Sequence, residues 1–187
     1  DHADVPVIYE DPSHASYGMS LRGFPRLAWA PVKYAFGRRG PLSSNTVESG
    51  GFVRTRPDLP APDIEFILAP GLKNQPERPI PRGHGFSIHV SLVRPQSRGR
   101  LTLRSSSPDQ APSLQSNFLS AEGDLEAMVR GIDMARQLVT TRAMAPYRGA
   151  ELWPGAERRD DESLGEWVRS NVATTYHPVG TCKMGVD

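Results

Sequence analysis

Apolar side chains occupy every second position across residues 84–94: Phe86, Ile88, Val90 and Leu92 share one face, and Ser87, His89, Ser91 and Val93 the other. This two-residue repeat is that of a strand, and Pro95 ends it. Residues 45–54, 63–68 and 100–104 read as further strands between turn-forming residues. The short Arg98-Gly99 turn predicts that the last of these folds back as an antiparallel hairpin. Val5, Val7 and Tyr9 alternate as well, which makes 1–9 a short extended arm. Pro25 and Pro31 confine any helix in 20–36 to short pieces, and 37–41 is a turn. The three prolines of 72–83 mark a surface loop, a place for mobility.

Near Ser120 the period changes. Leu125, Met128, Val129, Ile132, Ala135, Leu138 and Val139 recur at helical spacing, with Glu122 and Asp124 in the first turn. This predicts a helix over 122–140. A second helix over 161–174 opens at Asp160-Asp-Glu162 and turns Leu164, Trp167, Val168 and Val172 inward. Strands come first and helices follow, without a βαβ rhythm. The expected class is therefore α+β: a mixed, largely antiparallel sheet flanked by helices on one side.

The length, 187 residues, suits one core or one core with an arm. The 22 basic and 21 acidic side chains nearly cancel. That balance argues against nucleic acid, or an anionic membrane, as the main partner. No apolar run approaches the roughly 18 residues of a membrane span, so no transmembrane segment is expected. The lone Cys182 rules out an intrachain disulfide and favours a reducing, cytoplasmic-type compartment. Cys182 and His177 lie five apart, but a metal site needs three or four ligands. His2, His14 and His84 have no partners at metal spacing either, so no metal is expected. The chain starts at Asp1 rather than Met and stops just after a motif, so both ends read as cut.

The motif is Tyr176-His-Pro-Val-Gly-Thr-Cys-Lys-Met-Gly185. Pro178 fixes its own φ and disfavours helical geometry at His177, and Gly180 permits a turn that a side chain would block. The imidazole is thereby mounted on a rigid corner. A histidine there serves either as an acid–base group or as a structural hydrogen bonder. His89, on the polar face of the strongest strand, either lines a pocket or is a satisfied sheet histidine. Glu48 is either a pocket carboxylate or a solvated one.

The segment 175–185 resembles, nearly residue for residue, the Y-H-P-x-G-T-x-x-M-G signature of the glucose–methanol–choline (GMC) flavin oxidoreductases. Other segments resemble the same family in order. Asp1-His2 is similar to the end of its N-L-x-D-H stretch. Gly40-Pro-Leu with Gly50-Gly-Phe52 is similar to its G-P-L and G-G-F pair. Arg94-Pro with Ser97-Arg-Gly-Arg-Leu-Thr-Leu-Arg104 is similar to its R-P-x-S-R-G-x-V-x-L-R strands. Asn117-Phe-Leu, Leu125-Glu and Arg130-Gly-Ile fit the helix that follows.

The resemblance implies that residues 1–187 are a substrate-binding domain carrying the family's active-site histidine, His177. That histidine would take the hydroxyl proton of a small-molecule alcohol while hydride passes to FAD. It implies pocket roles for Tyr176, whose other reading is a buried tyrosine with a paired hydroxyl, and for Glu48, since an acid near this place meets the substrate cation in choline-oxidising relatives. Asp1 and His2 would be cofactor-binding. The family's partner for the catalytic histidine would fall beyond Asp187. No G-x-G-x-x-G fingerprint occurs here, so FAD is expected to be held by a further, FAD-binding domain and not by this chain alone. A face shaped for that domain would be apolar and would promote self-association. The competing expectations are a non-catalytic binding module and an interaction domain on the same fold.

Overall fold

The computed structural model describes residues 1–18, 20–21, 23–72, 83–180 and 184–185. The loop expected over 72–83 lies, save for its two end residues, outside the described residues, as does Cys182. Along the chain run β1 (Ala3–Glu10), α1 (Phe24–Ala28), α2 (Ala30–Gly37), a 3₁₀ turn (Pro41–Ser43), β2 (Ser49–Val53), β3 (Ile64–Ala69) and β4 (Gly85–Leu92). Then come β5 (Arg100–Thr102), β6 (Ser113–Gln115), α3 (Glu122–Thr140), β7 (Glu151–Trp153), α4 (Asp161–Asn171) and β8 (Ala173–Thr174).

The main sheet has the order β2-β3-β4-β1-β7, and β8 pairs with the same edge of β1 as β7 does, at its other end. Each pairing between these strands is antiparallel. The register sets Ala3 opposite Leu92 and Glu10 opposite Gly85. With a side-chain period of 2, this puts Val5, Val7, Ile88, Val90, Ile64 and Phe66 on one face. There they meet Met128, Ile132, Ala135 and Val139 of α3 and Leu164 and Val168 of α4 in one core. The α+β class with helices on one side of an antiparallel sheet is the observed fold.

Gly131 sets how closely α3 lies on the sheet. A Cβ there would stand 2.7 Å from Val90 Cγ1 and 3.3 Å from Ile64 Cγ1. Gly131→Val is expected to cost about 1–3 kcal/mol through overpacking, read from the midpoint of a urea titration. An unchanged midpoint would mean that this contact relaxes freely.

Four expectations need correction. Residues 1–9 do not form an arm: β1 is the strand between β4 and the β7/β8 edge. Its Asp4 and Ile8 are buried along with Val5 and Val7, so both of its faces are covered and the visible alternation understates its place. Residues 100–104 do not join the main sheet. β5 pairs with β6 in a separate two-stranded ribbon. A Cβ at Gly99 would stand 2.4 Å from the Gln115 carbonyl, so the turn delivers the chain onto 113–115 instead. β5 is exposed throughout and has no buried face to add to a core. The helix expected over 161–174 stops at Asn171, because Val172 turns extended (φ −63°, ψ 138°) and leads into β8. Finally, Leu138 is 44% exposed and is not a core residue.

Candidate active site

The face of the sheet turned away from α3 carries the polar residues. On β1 this face is Asp4, Pro6 and Ile8, and the same alternation continues back to His2. On β4 it is Ser87, His89 and Ser91, on β3 Glu65 and Ile67, and on β2 Gly50 and Phe52, continuing back to Glu48.

The motif turn is sewn to the start of β1. Ala3 stands opposite Thr174, and the Thr175 N–H donates to the His2 carbonyl at 3.2 Å. The Asp1 carboxylate organises the corner. One oxygen accepts the N–H groups of His2 (2.9 Å) and His177 (3.1 Å), and the other accepts the Thr174 hydroxyl. Tyr176 has a left-handed backbone (φ 64°) and so does Gly180 (φ 98°), so the chain turns sharply on both sides of His177. Gly180 makes that turn without strain because it has no Cβ.

His177 thereby meets His2. Their Nδ1 atoms lie 3.3 Å apart and their rings are edge to face, with centroids 5.3 Å apart and planes at 82°. One ring donates and the other accepts, as the tautomers dictate. Burial lowers the His2 pKa below the usual histidine value, helped by the nearby His177 and opposed by Glu65. His2 is therefore held neutral over a wider pH range. Its depressed folded pKa contributes stability that is present above the unfolded value, about 6.5, and is lost as pH falls through the folded one. The His177 ring is exposed, and its Nε2 has no hydrogen-bond partner among the described residues. In the tautomer in which His177 Nδ1 donates to His2, that edge is free to take a proton from a bound molecule.

A second histidine site lies on the same face. His89 Nδ1 is 2.8 Å from Asp4 Oδ2, and the Ser91 hydroxyl donates to Asp4 Oδ1 at 2.9 Å. His89, Asp4 and Ser91 are all buried. With Asp4 accepting from Nδ1, neutral His89 keeps an acceptor lone pair at Nε2. That Nε2 is buried and has no hydrogen-bond partner among the described residues. A buried polar atom left so needs an explanation, and a bound ligand hydroxyl is one.

The remaining expected residues are less gathered. Tyr176 is 66% exposed beside His177, so the reading of a buried, hydroxyl-paired tyrosine does not describe it. Glu48 is exposed and accepts the Tyr17 hydroxyl at 2.9 Å. Its strand is three strand spacings, about 14 Å, from β1, so Glu48 and His177 are not brought together. Sequence reasoning missed Asp4 altogether. A carboxylate alternating with Val5 and Val7 marks an inward charge only once β1 is known to be covered on both faces. Among the described residues no group of three or more His, Cys, Asp or Glu is placed to hold a metal ion.

A family model described as GMC oxidoreductase matches residues 95–187. An alcohol dehydrogenase [acceptor] of Pseudomonas putida is 35% identical over 187 residues, covering 100% of this chain and 34% of its own length. The chain belongs to the GMC oxidoreductases. An oxygen-dependent choline dehydrogenase of Pseudomonas putida is 36% identical over 98% of this GMC chain and 36% of its own. In three dimensions the chain superposes on a formate oxidase with a TM-score of 0.82 at 26% identity, over 97% of this chain and 36% of the other. A variant of the Aspergillus oryzae formate oxidase studied for its FAD modification shows the same fold, with a TM-score of 0.81 at 24% identity over the same shares. The GMC chain thus spans about a third of the length of the relatives it matches.

Proposed function

We propose that residues 1–187 form the substrate-binding, base-bearing part of an FAD-dependent enzyme that oxidises an alcohol to an aldehyde or ketone. The observation that carries this reading is the His177–His2 pair at an open corner of the sheet, with the outer ring edge of His177 unpartnered. FAD fits this face on the chemistry of its groups. Phe52 on this face and Tyr176 beside His177 expose aromatic surface, suited to a flat aromatic ring, while the histidines offer acid–base groups. When bound in the full-length protein, the flavin supplies the two-electron acceptor.

The chain's own residues do the rest. The alcohol hydroxyl gives its proton to His177 as its carbon loses hydride, so the C–O bond becomes C=O and two electrons and one carbon-bound hydrogen leave together. Partial alkoxide character on oxygen makes the adjacent C–H a better hydride donor, which is why a base belongs here. Asp1 fixes the backbone of both histidines, and neutral His2 tolerates the charge that His177 gains. By the family resemblance Asp1 and His2 also face the cofactor. His89 accepts a hydrogen bond from the substrate at Nε2, with Asp4 holding the tautomer. Tyr176 closes the pocket beside the base, and Glu48 contributes negative charge at the outer edge of the same face.

Anaerobic mixing of the full-length protein with small alcohols, followed by flavin bleaching, tests the reaction type. No bleaching with any alcohol would contradict it. His89→Gln is expected to raise KM for the alcohol about tenfold, the worth of one hydrogen bond, with FAD content unchanged. An unchanged KM would remove His89 from the pocket.

A further inference from the structure

The strand β8 ends in Thr174, and its hydroxyl joins two parts of the corner that carries His177. It donates to Asp1 Oδ2 and accepts the Tyr176 N–H at 2.8 Å. The direction of both bonds is forced. A carboxylate accepts and an amide N–H donates, so the hydroxyl proton goes to Asp1 and a lone pair goes to Tyr176. The carboxylate thus fixes a rotor that would otherwise turn freely. Thr174 is partly buried where β8 pairs with β1, with Ala3 as its partner in register, so the hydroxyl is mounted on the sheet rather than on the turn.

Tyr176 is the residue that this relay controls. Its backbone is left-handed (φ 64°), a region that is costly for a bulky side chain. Its two soft dihedrals are set by the rigid peptide planes on either side of its Cα. The plane before it carries the Tyr176 N–H, held by the Thr174 hydroxyl. The plane after it carries the His177 N–H, held by Asp1 Oδ1 at 3.1 Å. Both planes are therefore tied to one carboxylate, directly or through Thr174, and together they fix the kink. Thr175 has a different task. Its N–H and hydroxyl both go to the His2 carbonyl, at 3.2 and 3.4 Å, which ties the turn to the start of β1.

The kink decides where His177 leaves the strand, and so where its ring meets His2, with the Nδ1 atoms 3.3 Å apart. Without the hydroxyl the first peptide plane is free to rotate, Tyr176 can return to the ordinary negative φ, and the imidazole swings with it. A base works only within hydrogen-bond reach of its proton, and a misplacement of about 1 Å can cost about 100-fold in rate. We infer that Thr174 is a positioning residue for His177: its hydroxyl, oriented by Asp1, holds the left-handed kink at Tyr176 that aims the imidazole at the substrate. The inference rests on the proposed function, in which His177 is the base.

Two variants of the full-length flavoprotein test it. Thr174→Val keeps the shape and removes the hydroxyl, and Thr174→Ser keeps the hydroxyl. Anaerobic flavin reduction at saturating alcohol should slow by about 10- to 100-fold in Thr174→Val and stay within about threefold of wild type in Thr174→Ser. FAD content and the alcohol concentration at half-saturation should stay near wild type in both. On a His177→Ala background Thr174→Val should slow the reaction no further, since Thr174 acts through that ring. Hydrogen exchange followed by mass spectrometry reads the turn with no alcohol present. The peptide holding Tyr176 and His177 should exchange faster in Thr174→Val and at the wild-type rate in Thr174→Ser, with α3 unchanged. A wild-type reduction rate in Thr174→Val, an equal slowing in Thr174→Ser, a full further slowing on His177→Ala, or loss of FAD from Thr174→Val would each overturn the inference. A wild-type rate in His177→Ala overturns the proposed function instead, and the exchange rates then still decide whether Thr174 holds the turn.

Discussion

Exchange of His177 for alanine in the full-length protein is expected to slow flavin reduction by about 10²–10⁴-fold, the worth of a positioned acid–base group. The effect is confined to the chemical step. On the proposed function the exposed ring edge of His177 is the group the alcohol meets, while the backbone of the corner is held by Asp1 through N–H groups that survive the exchange. FAD content should change little, since this chain lacks the glycine fingerprint that holds a dinucleotide's pyrophosphate. His177→Asn should not restore the rate, because an amide can hydrogen-bond the hydroxyl but cannot take its proton. Anaerobic stopped-flow isolates reduction from reoxidation. An alanine variant that reduces its flavin at close to the wild-type rate would make His177 structural.

Asp4→Ala should have the largest effect on stability, about 2–6 kcal/mol, since two buried donors lose their acceptor at about 1–3 kcal/mol each. Asp4 is 3% exposed and accepts from both His89 and Ser91. Alanine leaves the Ser91 hydroxyl and His89 Nδ1 buried without their acceptor in the strand next to the sheet's centre. Asp4→Asn keeps an acceptor oxygen for one of them and should cost less. A urea titration followed by tryptophan fluorescence reads both. Equal, small losses for the two variants would mean that water or rearrangement supplies the missing acceptor.

Where the sequence is periodic, the fold could be read from it. The alternation of Phe86, Ile88, Val90 and Leu92 is that of a strand, and β4 is that strand, buried on both faces in the middle of the sheet. The helical spacing after Ser120 matches the extent of α3, Glu122–Thr140. What was illegible is what periodicity does not carry. β7 and β8 have three and two residues, too few to show a repeat. The partner of β5 is decided by the close approach of Gly99 to Gln115, a tertiary contact. The role of β1 depends on burial from both sides, which a sequence met alone does not reveal. At the candidate site the turn that carries His177 was legible because Pro178 and Gly180 build it in sequence. The closeness of His2 was not, since 175 residues separate the two rings. Nor was the Asp4–His89 pair, 85 residues apart.

The claim that His177 takes the substrate's proton is tested most directly by the pH dependence of anaerobic flavin reduction in wild type and His177→Ala. In the wild-type protein the rate constant should rise with pH to a plateau, since a general base acts only in its unprotonated form. In the alanine variant the rate should be low and the rise should vanish. A variant that keeps the same rise to the same plateau would show that another group is the base.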